Sequence, residues 1–335
     1  MESYERILIR AANWVGDAIL SLPAVQAVRS AFPGAWIAVL ARPWVADIYR
    51  FGDFADEIIL YEKRSGLSAA RERLRVAGEL RRRRFDCALL LQNAFDAALI
   101  AALARIPVRI GYARDARRWL LTHAIETPRS GQIPRHESFY YLELLRRAGW
   151  LDSLPARPEP SFSKIARHPE PVVGVSPGAA FGSAKRWLPE RFAAAAAELA
   201  RRCAATVSVF GSPAEHGLCE QVAVEIRACG VEARNLAGAT SLDEFIRLAA
   251  RCMLFLTNDS GAMHVAAALG VPTVAVFGAT DPEATAPLGP RVRLVREPVE
   301  CSPCLLRECP IDHRCMTRVN ADRVVSAALE LLAGP

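Results

Sequence analysis

Residues 252–278 read CMLFLTNDSGAMHVAAALGVPTVAVFG. One apolar run ends in Asn258 and Asp259, a small-residue segment opens at Ser260, and a second apolar run, VPTVAVFG, closes the stretch. Nearly continuous apolar strands on either side of a helical segment are what a βαβ unit needs when its parallel sheet is covered on both faces. The polar residues fall where the first strand hands over to the helix. Free amides at that helix start, the helix dipole and the missing side chain of Gly261 favour an anion there. His264, about one turn on, shares a helix face with Ser260 and Gly261. An ordinary Asn/Asp/Ser cap beside a packed histidine would read the same way.

Outward from this unit, strands and amphipathic helices alternate through the chain twice over. Strands are expected at 6–12, 35–41, 56–61, 86–92 and 107–112, and again at 171–177, 205–211, 252–258, 271–278 and 292–297. Between them lie helical stretches at 17–32, 68–84, 94–105 and 137–150, then 189–203, 213–229, 241–252 and 320–333, the last with Asn320 as its cap. The passage LPARPEPSFSKIARHPEP (154–171) is too rich in proline for a helix or a central strand and reads as a linker. The expected fold class is therefore α/β, with two Rossmann-like parallel-sheet domains, 1–160 and 161–335, facing across a cleft. The last helix, 320–333, is left free to pack back toward the N-terminal domain.

The chain has 335 residues, 52% of them hydrophobic, and a net charge of +6, which fits a folded protein with an anionic partner. No signal sequence is expected in MESYERILIR, and the apolar stretch 87–104 is interrupted by Gln92, Asn93 and Asp96. The expectation is a cytoplasmic protein. Nine cysteines are present, five of them scattered, which suits a reducing compartment. No nucleic-acid recognition module is visible, so nucleic acid is not expected as a partner.

Three further strand-to-helix junctions carry polar chemistry. SPGAAFGSAKRW (176–187) is a loop of small residues ending in Lys185 and Arg186; it allows close backbone approach and offers a point charge to phosphate. It lacks the Walker spacing, and the chain has no G-x-G-x-x-G. FGSPAEH (210–216) brings Glu215 and His216 to the next strand's end. Together with Asp259 these loops point to a phosphorylated ligand of nucleotide type. In the first half, RAANWVGDAIL (10–20) places Asp17 at a helix start, either as a dipole partner or as a carboxylate base.

Five blocks in order, WVGDAILSLPAV (14–25), PGAAFGSAKRW (177–187), FGSPAEH (210–216), NLAGATSLDEFIRLAA (235–250) and TNDSGAMHVAAALGVPTVAVFG (257–278), resemble the ADP-heptose:lipopolysaccharide heptosyltransferases of glycosyltransferase family 9. The resemblance implies a GT-B fold, with the acceptor on the first domain and the sugar nucleotide on the second. It implies inverting transfer of L-glycero-D-manno-heptose from ADP-heptose to a Kdo2-lipid A-type acceptor at the inner leaflet of the inner membrane, by a peripherally associated monomer. Asp17 matches the catalytic carboxylate. Lys185, Glu215, Asp259, Ser260, Gly261 and His264 match positions around the donor, and Arg186, beside Lys185, is a further donor-side candidate. No cofactor is required on this reading; a divalent cation is compatible with it but not implied. A relative using a different heptose position or ADP-sugar, or a silent sugar-nucleotide-binding protein, would carry the same blocks.

For the acceptor, Asn93, Arg109 and Arg114, with Arg117 and Arg118 nearby, are candidates to meet acidic sugars. The basic stretch Lys63, Arg64, Arg71, Arg73, Arg75 and Arg81 to Arg84 reads either as a solvated helix face or as an attraction to anionic lipid. Near the C-terminus, Cys301, Cys304, Cys309 and Cys315 surround His313 in CSPCLLRECPIDHRCM (301–316). That spacing is compatible with zinc, with a disulfide or with free thiols, and no metal site is assigned from it.

Overall fold

The structure, a computed structural model, describes residues 3–62 and 66–334. Lys63 and Arg64 of the basic stretch lie outside the described residues. The chain forms two compact units, Met1–Lys164 and Ile165–Pro335, divided within the proline-rich passage and close to the expected boundary.

In the first unit the strands are β1 (Arg6–Arg10), β2 (Trp36–Ala41), β3 (Glu57–Leu60), β4 (Cys87–Leu90), β5 (Val108–Tyr112) and β6 (His123–Ile125). Its helices are α1 (Val15–Ala31), α2 (Pro43–Ala46), α3 (Leu67–Arg82), α4 (Phe95–Leu103) and α5 (Glu137–Arg147). The second unit has strands β7 (Glu170–Ser176), β8 (Thr206–Val209), β9 (Ala233–Asn235), β10 (Cys252–Asn258), β11 (Thr273–Phe277) and β12 (Val292–Arg296). Around them lie α6 (Pro189–Arg202), α7 (His216–Ala228), α8 (Leu242–Arg251), α9 (Gly261–Ala268), α10 (Pro282–Thr285), α11 (Arg314–Thr317) and α12 (Ala321–Ala333). The ten expected strands are present. Each sheet gains one short edge strand, β6 and β9, whose three residues are too few to show a pattern.

The sheets run β3-β2-β1-β4-β5-β6 and β12-β11-β10-β7-β8-β9. Every described pairing is parallel, so both units have the doubly wound α/β order. Such sheets reverse direction between their two central strands, and the loops leaving the carboxyl ends there diverge to make a crevice. In the first unit those strands are β1 and β4, which lead to the Asp17 segment and to Asn93. In the second they are β7 and β10, which lead to the 177–187 loop and to Asp259.

Alternation along the second sheet sends Val173, Val175, Leu254, Leu256, Val274 and Val276 into one core with α6, α7 and α12. Phe255 and Phe210 go to the other face with Ala249 of α8 and Ala266 of α9. Gly174 is required where it stands, because a Cβ there would lie 2.5 Å from the Phe255 ring. Helix starts are set locally. Ser241 and Glu244 form a reciprocal capping box on α8, and Asn320 accepts from the Arg323 amide at 3.0 Å, as its sequence position suggests. The apolar face of α12, for which the sequence left a return to the first domain open, is buried in the second unit's own core through Val324, Ala328 and Leu331.

Candidate active site

In the second unit, the ends of β7 and β10 are tied together by one side chain. Asn258 is fully buried; its amide donates to the Pro177 carbonyl at 2.7 Å and its oxygen accepts from the Trp187 amide at 2.9 Å. This fixes both ends of the small-residue loop against the strand that carries Asp259. At the far end of the loop a short 3₁₀ turn, Ser183–Lys185, presents Lys185. Its Nζ lies 2.7 Å from Asp259 Oδ2, with side chains 13% and 5% exposed, so the pair is nearly removed from water. Asp259 also accepts a hydrogen bond from Thr280 Oγ1. Ser260 does not cap α9 with its side chain; its hydroxyl meets Thr257 Oγ1 at 3.2 Å. The first amides of α9 are thus left to a ligand or to water beside an ammonium group. His264 is buried on α9 one turn further along.

The remaining donor-side candidates lie on the rim. Glu215 accepts from the Ser212 amide at 2.9 Å and its hydroxyl at 2.8 Å in a capping box, so part of its role is to shape the turn. The same carboxylate sits against Gly178, where a Cβ would come within 2.1 Å of Oε1. Arg186 turns back on its own loop, donating to the Ala179 carbonyl at 3.4 Å. Thr280 and Asn258 were missed by motif reading. Thr280 has no local signature, and Asn258 reads as a generic cap until its two partners are seen.

In the first unit Asp17 lies in the first turn of α1, half-buried. The preceding loop is shaped by Arg10, which is buried and donates to the Ala11 and Leu40 carbonyls at 2.9 and 3.0 Å and to Asn13 Oδ1 at 3.1 Å. Burial holds the Arg10 guanidinium down to about 10. Three groups feel the charge of Asp17. Burial first, and Asp17 second, raise the Glu137 carboxyl above its ordinary range, with Arg114 acting the other way. Burial and the same two carboxylates push the Tyr141 phenol well up, and Tyr49 is pushed up to about 12, mainly by burial. The helices α1 and α5 pack together, which explains why residues so distant in sequence share this environment.

The acceptor candidates divide. Asn93 donates to the Tyr140 hydroxyl at 2.9 Å and accepts from Arg117 at 2.9 Å, in a polar network beyond β4. Arg117 is fully buried, and burial lowers its guanidinium to about 10. Arg114 is exposed and lies near Asp115, Tyr140 and Glu137. Arg109 corrects the sequence expectation. It sits at the start of β5, and its guanidinium donates to the carbonyls of Leu120 and Ile106. It braces the edge opposite to the crevice. The basic stretch is also less available than its sequence suggests. Arg73 pairs with Asp96, Arg75 with Glu72 and Glu79, and Arg83 with Glu57 and Glu79. Arg71, Arg81, Arg82 and Arg84 face solvent.

All nine cysteines are free thiols. Cys315 is buried, and burial first, then Cys301, Cys304 and Cys309, raise its thiol. Among the described residues no three His, Cys, Asp or Glu side chains form a metal-holding group. No described helix is long and apolar enough to cross a membrane.

Two doubly wound units, the second with an ammonium group and open helix amides at its switch point, define the class: an α/β glycosyltransferase of GT-B type. Residues 73–314 match the profile of glycosyltransferase family 9 (heptosyltransferase). The chain is 32% identical to lipopolysaccharide heptosyltransferase 2 of Salmonella typhimurium over 306 residues, covering 87% of this chain and 88% of the relative. With lipooligosaccharide heptosyltransferase 2 of Campylobacter jejuni the identity is 29%, over 98% of both chains. The solved structure of E. coli ADP-heptose lps heptosyltransferase II superposes with a TM-score of 0.80 at 29% identity, covering 98% of each. The family 9 structure from Veillonella parvula, 22% identical, shares the fold with a TM-score of 0.84 over 99% of this chain and 98% of its own. The chain belongs to glycosyltransferase family 9, the heptosyltransferases.

Proposed function

We propose that the chain transfers L-glycero-D-manno-heptose from ADP-heptose to the heptosyl-Kdo2-lipid A inner core of lipopolysaccharide, with inversion, as a monomer working at the inner leaflet. The observation that carries this reading is the Lys185–Asp259 pair beside the uncapped start of α9. A cation held rigidly next to backbone N–H groups suits a diphosphate whose charge grows during reaction. Relatives of the second heptosyltransferase type over most of the chain favour this donor and acceptor.

In this mechanism Asp17 takes the proton from an acceptor hydroxyl as that oxygen attacks the anomeric carbon from the face opposite ADP. The carbon–oxygen bond to the β-phosphate breaks through an oxocarbenium-like state, and its electron pair leaves with ADP. Lys185 and the first amides of α9 receive that charge. Asp259, by holding Lys185 and being held by Thr280, keeps the ammonium group aimed. Ser260, Gly261 and His264 line the same turn, with Arg186 and Glu215 on its rim. Asn93 and Arg114 are the acceptor-side groups. Incubation with ADP-heptose and a set of truncated core acceptors, read by mass spectrometry, tests the reading. One added heptose on the heptosyl-Kdo2 acceptor is expected. Addition to Kdo2-lipid A alone would assign a different heptose position, and ADP binding without any transfer would reduce the protein to a binding module.

A further inference from the structure

We propose that Arg307, in the cysteine-rich segment, is a second cation for the donor diphosphate. The inference rests on reading the Lys185 turn as an ADP-sugar site and adds to it a residue that none of the five sequence blocks contains.

The first argument is charge. Lys185 is paired with the nearly buried carboxylate of Asp259 at 2.7 Å, so part of its charge is already offset when a dianion arrives. A site that stabilises a departing diphosphate needs a further donor. Arg307 is exposed, and among the described residues it has no carboxylate partner. Its guanidinium lies 5.4 Å from the centroid of the Phe181 ring, and Lys185 Nζ lies 4.9 Å from the same centroid. Phe181, exposed for a large aromatic, thus has both cations within 5.4 Å of its ring centre and ties the two segments that carry them to one side chain.

The second argument is that this proximity is built. The Arg307 carbonyl accepts from the Ala184 amide at 3.0 Å, one residue before Lys185. It also occupies the place of a side chain at Gly182, where a Cβ would fall 2.2 Å from the Arg307 oxygen. His313 Nε2 meets the Ala184 carbonyl at 3.0 Å from the other end of the segment. On the β11 side, Leu305 donates to the Ala279 carbonyl at 2.8 Å and Ser302 Oγ to the Gly278 carbonyl at 2.5 Å. Ala279 directly precedes Thr280, the partner of Asp259. The segment therefore clamps both sides of the Lys185–Asp259 pair and carries Arg307 at its crest. A guanidinium presents a fixed pair of parallel N–H groups that matches two phosphate oxygens, whereas an ammonium group acts as a point charge.

The test is Arg307→Ala beside Arg307→Lys, with Lys185→Ala as reference, in the full chain. ADP and AMP binding are measured by calorimetry, and the Michaelis constants for ADP-heptose and acceptor are measured separately. Arg307→Ala should weaken ADP and raise the ADP-heptose KM by about ten- to a hundredfold, the range for a lost charge-assisted contact. The loss should be much smaller for AMP, which lacks the β-phosphate, and absent from the acceptor KM. Arg307→Lys should recover part of it. The backbone contacts of residue 307 survive both changes, so unaltered thermal melting is expected. Unchanged ADP affinity and donor KM in Arg307→Ala would overturn the proposal, as would equal losses for ADP and AMP. Wild-type protein that bound no ADP at all would instead overturn the reading of the site on which it rests.

Discussion

The two switch points share a topology and hold charge in opposite ways. At the end of β10, opposite charges meet: Lys185 on Asp259, with Thr280 and Asn258 holding the surrounding loops by hydrogen bonds. At the end of β1 the neighbours of Asp17 feel its charge: after burial, it raises the proton affinity of the Glu137 carboxyl and of the Tyr141 phenol, with Arg114 acting the other way on Glu137. The first arrangement lowers its own energy and is ready to hold a ligand of fixed shape. The second sets a half-buried carboxylate, Asp17, beside another carboxyl group whose proton affinity it raises.

The largest expected effect tests the carboxylate side. Asp17→Asn removes the proton acceptor and should lower turnover by about 10²–10⁴-fold, with ADP affinity unchanged in calorimetry. Near-wild-type turnover would remove Asp17 from the base role. On the paired side, Lys185→Ala or Asp259→Ala leaves one nearly buried charge alone and should cost about 3 kcal/mol in denaturant unfolding. The double variant should cost less than the two single losses together. Additive losses would mean that the pair does not act as a unit.

The same contrast explains what could be read from residues alone. Lys185 and Asp259 were legible because each ends a contiguous strand-plus-loop block whose apolar run and small residues have one structural meaning. The place of Asp17 in the first turn of α1 was legible for the same reason. Glu137, Thr280 and Arg307 were not, because each reaches its site from a distant segment with no signature of its own. Arg109 was misplaced because a strand's sequence does not say which of its ends a side chain serves, and this one serves the start of β5. The basic stretch misled in a related way: Arg73 and Arg83 find their acids on α4 and β3, partners that only the fold supplies. The fold class needed no such long-range knowledge. Its strands declare themselves by unbroken apolar runs, and only the three-residue edges β6 and β9 escape.

Smaller effects sharpen the comparison. Thr280→Val keeps the shape of the side chain but deprives Asp259 of a hydrogen bond, which should cost about 1.5–3 kcal/mol in stability and raise the donor KM while sparing the acceptor KM. An acceptor-side change would place Thr280 elsewhere in the mechanism. Glu137→Gln addresses the crowded edge through pH. The Glu137 carboxyl is held above its unfolded value by burial and by Asp17, so the folded protein pays nothing while the group is protonated at low pH. It loses stability as pH rises through the folded value. The variant should therefore match wild type in the most acidic conditions where both remain folded and exceed it by up to about 1 kcal/mol toward neutrality. Melting curves that diverge in the opposite direction would show that the carboxylate is stabilised by its surroundings.

The smallest effect expected is none at all. If Lys185, Arg307 and the first amides of α9 together take up the charge of the departing diphosphate, that charge is met by groups the chain itself supplies. A divalent cation would then compete with Lys185 for the same oxygens and gain little. Turnover in buffer containing EDTA should equal turnover in excess magnesium, measured as ADP release with both substrates saturating. Lys185→Ala gives the sharper arm, since magnesium should restore its activity in part if the ammonium group does electrostatic work at that position. A large loss of wild-type activity on chelation would show instead that the ordered, paired edge is incomplete without an ion, and the contrast between the two switch points would have to be redrawn around it.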